Sequence, residues 1–350
     1  IPGYGYIPRD FLVSDPDFEN FERDQPWIGY EFERELNDTF TVRQNARYQY
    51  VDYEHHTLVF GAKKPDPVTG RDTLISRIAS GGGARTDQFT IDNQVEAKFS
   101  TGTAEHTLLG GLDYRYYSRD YHWGRGSAPD IDLTDPQYGD IGAITLSPSQ
   151  VDETTARQTG IYVQDQIEIG RLNLMAGARY DWASTDIDDK LGTNDQSYDD
   201  EAFTWRVGAI YNFDNGISPY VSYSTSFEPS LTAPGKDQEA FDPTTAEQYE
   251  VGIKYTPEGT DIVLTVAYFD LTQKDVVKTD WIGGEPVSRQ VGKIRNRGVE
   301  VSAKAEIHDN LTLIGSYAYL DSEVRNSLNE LEIGRTPARQ PAHQAALCAK

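Results

Sequence analysis

The chain has 350 residues, 37% of them hydrophobic and 25% charged, with 32 basic against 56 acidic side chains and a formal net charge of −24 at pH 7. Phosphate backbones repel such a chain, which argues against a nucleic-acid binder. No run approaches about 18 uninterrupted apolar residues, so there is no transmembrane helix, although a membrane β-barrel leaves a far weaker signal per segment and stays open.

Ile1-Pro2-Gly3-Tyr4 begins the chain without an initiator Met and without a signal-like run, which is expected of a fragment or processed segment. From there, apolar and polar residues alternate with period two. The first pair of expected strands, near 27–36 and 39–53, is split by Asn37-Asp38. The second, near 86–99 and 104–120, turns at Thr101-Gly102, with Phe89, Ile91, Val95, Ala97 and Phe99 on one face. Pairs near 154–168 and 171–183, 201–213 and 217–227, 244–256 and 260–273, and 293–308 and 311–323 follow. They turn at Gly170, Asp214-Asn215-Gly216, Pro257-Glu258-Gly259 and Asp309-Asn310. These are tight-hairpin signals. Tyr (22), Phe (13) and Trp (5) far outnumber Met and Cys (1 each), which suits strands, and the single Cys348 forbids an internal disulfide.

Between the pairs lie long polar connections, near 54–85, 121–153, 184–200, 228–243, 274–292 and 324–339. Short turns alternating with long loops, and strands longer than the ~5–6 residues usual in globular proteins, are the pattern of an outer-membrane barrel. A soluble β-sandwich would show the same alternation with its apolar face turned inward. The fold expectation is therefore all-β, an antiparallel transmembrane β-barrel with short periplasmic turns and long extracellular loops. About 13 strands can be counted, whereas bacterial single-chain barrels have even numbers, so residues 1–350 read as an incomplete barrel domain.

No catalytic constellation stands out: there is neither a G-x-S-x-G elbow nor a phosphate-cradling G-x-x-x-x-G-K-[ST]. Gly81-Gly82-Gly83 reads as flexible loop. His55 and His56, being adjacent on a strand, should point to opposite sides and not share a metal. His106, His122 and His343 have no partners by spacing. The acidic run Asp186, Asp188, Asp189, Asp195, Asp199, Asp200 and Glu201 lacks EF-hand order and reads as a solvated loop. Tyr114, Tyr180, Trp182, Tyr211 and Tyr220 read as girdle or wall.

Several segments, in order, resemble TonB-dependent outer-membrane receptors of the ferric-siderophore branch, nearest to receptors for hydroxamates. They are Thr159-Gly160-Ile161-Tyr162-Val163-Gln164-Asp165-Gln166, Gly177-Ala178-Arg179-Tyr180-Asp181-Trp182, Ser222-Tyr223-Ser224-Thr225-Ser226-Phe227-Glu228-Pro229, Glu247-Gln248-Tyr249-Glu250-Val251-Gly252, Tyr268-Phe269-Asp270-Leu271-Thr272, Asn296-Arg297-Gly298-Val299-Glu300, and Thr336-Pro337 with Pro341 and His343. The resemblance covers nearly the whole chain. It implies a 22-stranded barrel closed by a plug. It also implies import of a ferric siderophore, most simply a hydroxamate such as ferrichrome or ferrioxamine, with energy from the TonB complex of the inner membrane acting through the plug. The implied location is the bacterial outer membrane, as a multi-pass monomer among lipid and lipopolysaccharide. No enzymatic activity, nucleic-acid partner or resident cofactor is implied, since iron arrives already chelated. The chain departs from the family in having no plug, no TonB box, no first strands and no terminal aromatic strand, and in carrying Cys348 where Trp is usual.

The resemblance also places pocket aromatics. Tyr4 and Tyr6 lie in a Tyr-Gly-Tyr-Ile-Pro stretch, Phe60 lies near a pair of loop tyrosines, and Tyr121 and Trp123 follow a strand. An interfacial girdle is the competing reading for Tyr4, Tyr6 and Trp123. The arginines near the mouth, Arg71, Arg77, Arg85, Arg119 and Arg125, are scattered, which fits a neutral or cationic hydroxamate better than a trianionic catecholate. A passive porin-like channel, a receptor for a non-hydroxamate chelate, a rim enzyme and a soluble β-rich module are the alternatives.

Overall fold

A strand with one apolar and one polar face is stable only where each face meets its own medium, and the whole chain is built on that condition. The computed structural model describes residues 7, 9–139, 141–192, 195–232, 241–282, 285–308, 310–327 and 329–350. Fourteen strands run through them: β1 (Asn20–Asp24), β2 (Trp27–Glu35), β3 (Phe40–Lys64), β4 (Leu74–Thr101), β5 (Ala104–Asp132), β6 (Ser147–Ile169), β7 (Leu172–Asp189), β8 (Gln196–Tyr211), β9 (Ile217–Glu228), β10 (Thr244–Tyr255), β11 (Ile262–Ile282), β12 (Glu285–His308), β13 (Leu311–Asn326) and β14 (His343–Ala349). All pairings are antiparallel. From β3 onward each strand lies beside its sequence neighbours, while β1 and β2 both lie along β3. Among the described residues nothing pairs β14 with β1 or β2, so the sheet is not closed.

The expected turns are where the hairpins reverse. Asn37 Oδ1 accepts from the backbone N–H of Thr39 and Phe40, each at 2.9 Å, and Gly102 supplies the positive φ (64°) that the β4–β5 turn requires. At the β12–β13 turn, Asp309 lies outside the described residues.

Burial distinguishes the barrel from the sandwich. In a sandwich the apolar stripe would be covered by a second sheet. Here Phe203, Val221, Tyr249, Val251 and Ile253 are 50–62% exposed. Aromatics bound this stripe above and below. Trp205, Tyr223 and Tyr249 follow one another as tilted ring pairs, 4.7 and 4.6 Å between centroids, and Tyr211 with Phe213 (4.7 Å) marks the other edge. Trp205 and Tyr211 are six residues apart on β8, as Tyr249 and Tyr255 are on β10, which at about 3.3 Å per residue is roughly 20 Å along the strand. At the ~40° tilt of barrel strands the two aromatic rows stand about 15 Å apart in height, inside the ~25 Å apolar band of an outer-membrane barrel. The buried clusters are small and lie outside this band: Ile75, Ile131 and Leu133 with Phe11 packed on them, and Val291, Ile294 and Val324 with Val276.

Two expectations need correction. The connections near 54–85, 121–153, 184–200 and 274–292 are largely strand, because β3, β4, β5, β7, β8, β11 and β12 run 16 to 29 residues and so project beyond the ~9–11 residues a membrane strand needs. Gly81-Gly82-Gly83 is not a flexible loop but the buried middle of that extension, paired with Glu54–His56 on one side and with His122–Gly124 on the other. Side chains are missing there because neighbours occupy the space. A Cβ on Gly81 would sit 2.1 Å from the His56 ring, and one on Gly83 would sit 2.1 Å from the Tyr53 carbonyl oxygen.

Candidate functional site

The polar face of the wall carries cross-strand charge and hydrogen bonding. The Arg179 guanidinium holds Asp113 and Asp181, Gln158 donates to Asp181 (2.8 Å), and the Tyr162 hydroxyl donates to Asp92 (2.7 Å). Asp92, Asp113, Gln158, Arg179 and Asp181, with Glu31 and Arg115, border a concave space of about 1140 Å³. Tyr220, expected as girdle or wall, lies on this face and donates to Glu250 (2.6 Å), so it is a wall residue.

The same face continues up the β3–β4–β5 extension and becomes aromatic. Register puts Tyr53, Ala84 and Tyr121 in one row and His55, Gly82 and Trp123 in the next. Tyr121 and Trp123, two residues apart on β5, are parallel (1°) with centroids 6.3 Å apart. His55 lies 6.0 Å from Trp123, and Phe21 of β1 reaches His55 (5.6 Å, edge-on) and Tyr53 (6.5 Å). Trp123 is fixed by its indole N–H, which donates to Ser80 Oγ at 2.9 Å. Tyr121 is fixed by Arg119, whose guanidinium lies 5.1 Å over its ring and donates to the buried Asp152 (2.9 Å). Tyr121 sits five residues beyond the outward Tyr116, above the membrane band, and burial first, then the Tyr53 hydroxyl, push its phenol up to about 12. It is therefore a neutral hydrogen-bonding group at any physiological pH. The cluster presents rigid π-faces with a phenol and an imidazole at the edge, which suits a ligand with an apolar body and a shell of carbonyl oxygens.

The sequence-derived residues separate on this geometry. Tyr121 and Trp123 come together. Phe60 projects from the opposite face of β3, stacked on Phe11 at 6.4 Å and 58% exposed. Tyr4 and Tyr6 lie outside the described residues. Phe21, Tyr53 and His55 were not identified from the sequence. The only signal for them is alternation, which puts Tyr53 and His55 on one face but cannot say that Trp123 is opposite without the register.

The arginines of the region are engaged locally. Arg77, 3% exposed, faces the fully buried Asp15 at 3.6 Å and donates to the Pro129 carbonyl (2.6 Å); Arg85 pairs with Asp52 (3.3 Å) and Arg119 with Asp152. The histidines that lacked partners by spacing have them across strands: His106 with Asp165 (2.7 Å), His343 with Tyr317 (2.9 Å) and His122 with Glu54 (3.7 Å). In the acidic run, Asp189 caps the N–H groups of Leu191 and Gly192 (3.0 and 3.1 Å), Ser197 donates to Asp186 (2.7 Å), and Lys190 bridges Glu153 and Asp188.

Residues 2–349 match the family model described as TonB dependent receptor-like, beta-barrel. The ferrichrome outer membrane transporter/phage receptor of Escherichia coli K12 is 34% identical over all of this chain and 49% of its own length. The ferrioxamine receptor of Yersinia enterocolitica is 31% identical over 98% of this chain and 48% of its own length. Among solved structures, the ferric-catecholate import receptor Fiu of E. coli K12 in its closed form superposes with a TM-score of 0.83 at 20% identity, over 99% of this chain and 54% of that one. The chain spans about half the length of the curated relatives it matches.

Proposed function

The chain belongs to the TonB-dependent receptor β-barrel family, a family of outer-membrane receptors and not of enzymes, and from that premise we propose that it forms the wall and part of the mouth of a ferric-siderophore importer. The cargo is a ferric hydroxamate of the ferrichrome or ferrioxamine type, taken from outside and passed along the polar face with energy supplied by the TonB complex through a plug. The complete receptor acts as a monomer, its exposed stripe against lipid and lipopolysaccharide. The observation that carries the cargo class is the aromatic row Phe21, His55, Trp123, Tyr121, Tyr53, together with arginines that already hold carboxylates. A trianionic catecholate or citrate complex needs unneutralised guanidinium groups, and Arg77, Arg85 and Arg119 face Asp15, Asp52 and Asp152. A neutral chelate needs only π-faces and a few donors.

The test is binding to the complete receptor in detergent, by tryptophan quenching, with ferrichrome, ferrioxamine, ferric enterobactin and ferric citrate at equal concentration. Saturable binding of a hydroxamate alone is the expected result. Preferential binding of enterobactin or citrate overturns the cargo class.

A further inference from the structure

On the other face of the β3–β4–β5 extension, two imidazoles converge on one carboxylate. His56 Nε2 lies 3.5 Å from Glu54 Oε1, and His122 Nε2 lies 3.7 Å from Glu54 Oε2. Glu54 and His56 are two residues apart on β3 and share a face, while His122 comes from β5, one strand further on. The strand between them contributes Gly81 and Gly83 to this face. A Cβ at Gly81 would lie 3.0 Å from His56 Nε2 as well as against its ring, and a Cβ at Gly83 would lie 2.8 Å from Glu54 Oε2. The glycines are what allow donors from β3 and β5 to meet across β4. On β1, Glu22 stands directly opposite Glu54 and adds a further carboxylate to the same face.

We propose that Glu54, His56 and His122 are the ligands of a divalent transition-metal site on the extracellular extension. Two imidazole nitrogens and a carboxylate oxygen are the donor set that suits Zn²⁺, Ni²⁺ and Cu²⁺, whereas Ca²⁺ and Mg²⁺ take oxygen alone. Ligand atoms about 2.0–2.1 Å from a tetrahedral ion stand roughly 3.3 Å apart; the two N···O separations, 3.5 and 3.7 Å to the two different oxygens of Glu54, are a few tenths of an ångström longer. Among the described residues no three such side chains are gathered around one point as they stand. Side-chain rotation closes the site, chiefly at Glu54 (42% exposed) and His122 (57%), while His56 (29%) keeps its place against Gly81. Packed against the His56 ring is Phe18 (5.5 Å), from the segment that leads into β1. An ion here ties β3 to β5 and steadies that segment. It does not reach the aromatic row, which occupies the opposite face, so the site is independent of the siderophore reading.

The experiment is titration of the complete, untagged receptor in detergent with ZnCl₂ by calorimetry, and with CoCl₂ by visible absorption. One equivalent of Zn²⁺ bound at micromolar concentration is expected, with His56→Ala and His122→Ala each weakening it at least tenfold and His343→Ala leaving it unchanged. Circular dichroism checks that each variant is folded. His122→Cys provides the direct reading: a thiolate-to-cobalt charge-transfer band appears if residue 122 touches the metal. Wild-type receptor that binds no Zn²⁺, or Zn²⁺ binding indifferent to both histidine substitutions, or a His122→Cys protein that takes up Co²⁺ without the thiolate band, overturns the proposal.

Discussion

Trp123→Ala tests the aromatic row most directly. The indole is fixed by Ser80, parallel to Tyr121, and approached by His55, so it is ordered before any ligand arrives. A rigid aromatic of this kind is the usual anchor of a binding surface, and truncating one costs about 2–4 kcal/mol, a loss of affinity of roughly 30- to 1,000-fold. Trp123→Phe keeps a π-face but loses the bond to Ser80. One neutral hydrogen bond is worth about 1 kcal/mol, so the ring loses orientation and affinity falls only about fivefold. Phe60→Ala, on the opposite face, changes affinity less than about threefold, below 1 kcal/mol. Calorimetry with ferrichrome and ferrioxamine is the suitable assay, since it does not depend on the fluorophore being removed. Affinity unchanged in Trp123→Ala, or the largest loss in Phe60→Ala, refutes the argument that the polar-face row receives the ligand.

Three further outcomes follow from particular contacts. Val251→Arg places a charge in the middle of the lipid-facing band, where Val251 is 54% exposed, and destabilises the folded receptor by about 2–4 kcal/mol in a denaturant titration in bilayers, whereas Ser222→Arg on the polar face is tolerated. Asp15→Ala leaves Arg77 buried without its carboxylate and costs about 3–5 kcal/mol, read as faster amide exchange over residues 9–19, with the membrane band unaffected. Glu332 in the short 3-10 turn Glu330–Glu332 is held down to about 2 by hydrogen bonds from Arg289 and Lys278. Because its folded value lies below its ordinary 4.5, its contribution is complete above about pH 4.5 and is lost as pH falls toward 2. The difference in denaturation midpoint between wild type and Glu332→Gln should therefore vanish over that interval.

The fold was legible where lipid imposes the pattern. Between Phe89 and Phe99, with Asn93 the exception, and between Tyr249 and Tyr255, the outward residues are apolar because they face hydrocarbon, and the expected strands near 86–99 and 244–256 fall on β4 and β10. Above the membrane that demand disappears. Residues 74–85 include Arg77, Ser80 and three glycines yet remain in the same strand, because ladder hydrogen bonds and the small cluster of Ile75, Ile131 and Leu133 replace the lipid. No period-two rule marks such a segment, and glycines argue for a loop unless the rings that cover them are known. Strand β1 was missed for a related reason: its five residues, NFERD, carry a single apolar side chain, and what holds them is the edge of β3.

The candidate site was legible only along one strand at a time. Tyr121 and Trp123 share a face because they are two residues apart, and His55 and His56 divide between faces because they are adjacent; both inferences need nothing but the pleat. What a residue meets depends on register, because a slip of one residue exchanges the faces throughout. In the observed register, His55 joins Trp123 over Gly82, and His56 with Glu54 meets His122 past Gly81 and Gly83. The three glycines thus separate two different chemistries by the thickness of one strand, aromatic on the polar face and imidazole–carboxylate on the other. A substitution at Gly82 should therefore disturb the aromatic face first, since its Cβ would press on the His122 carbonyl and the Trp123 backbone at 2.1 and 2.8 Å. Those are the atoms that aim the indole.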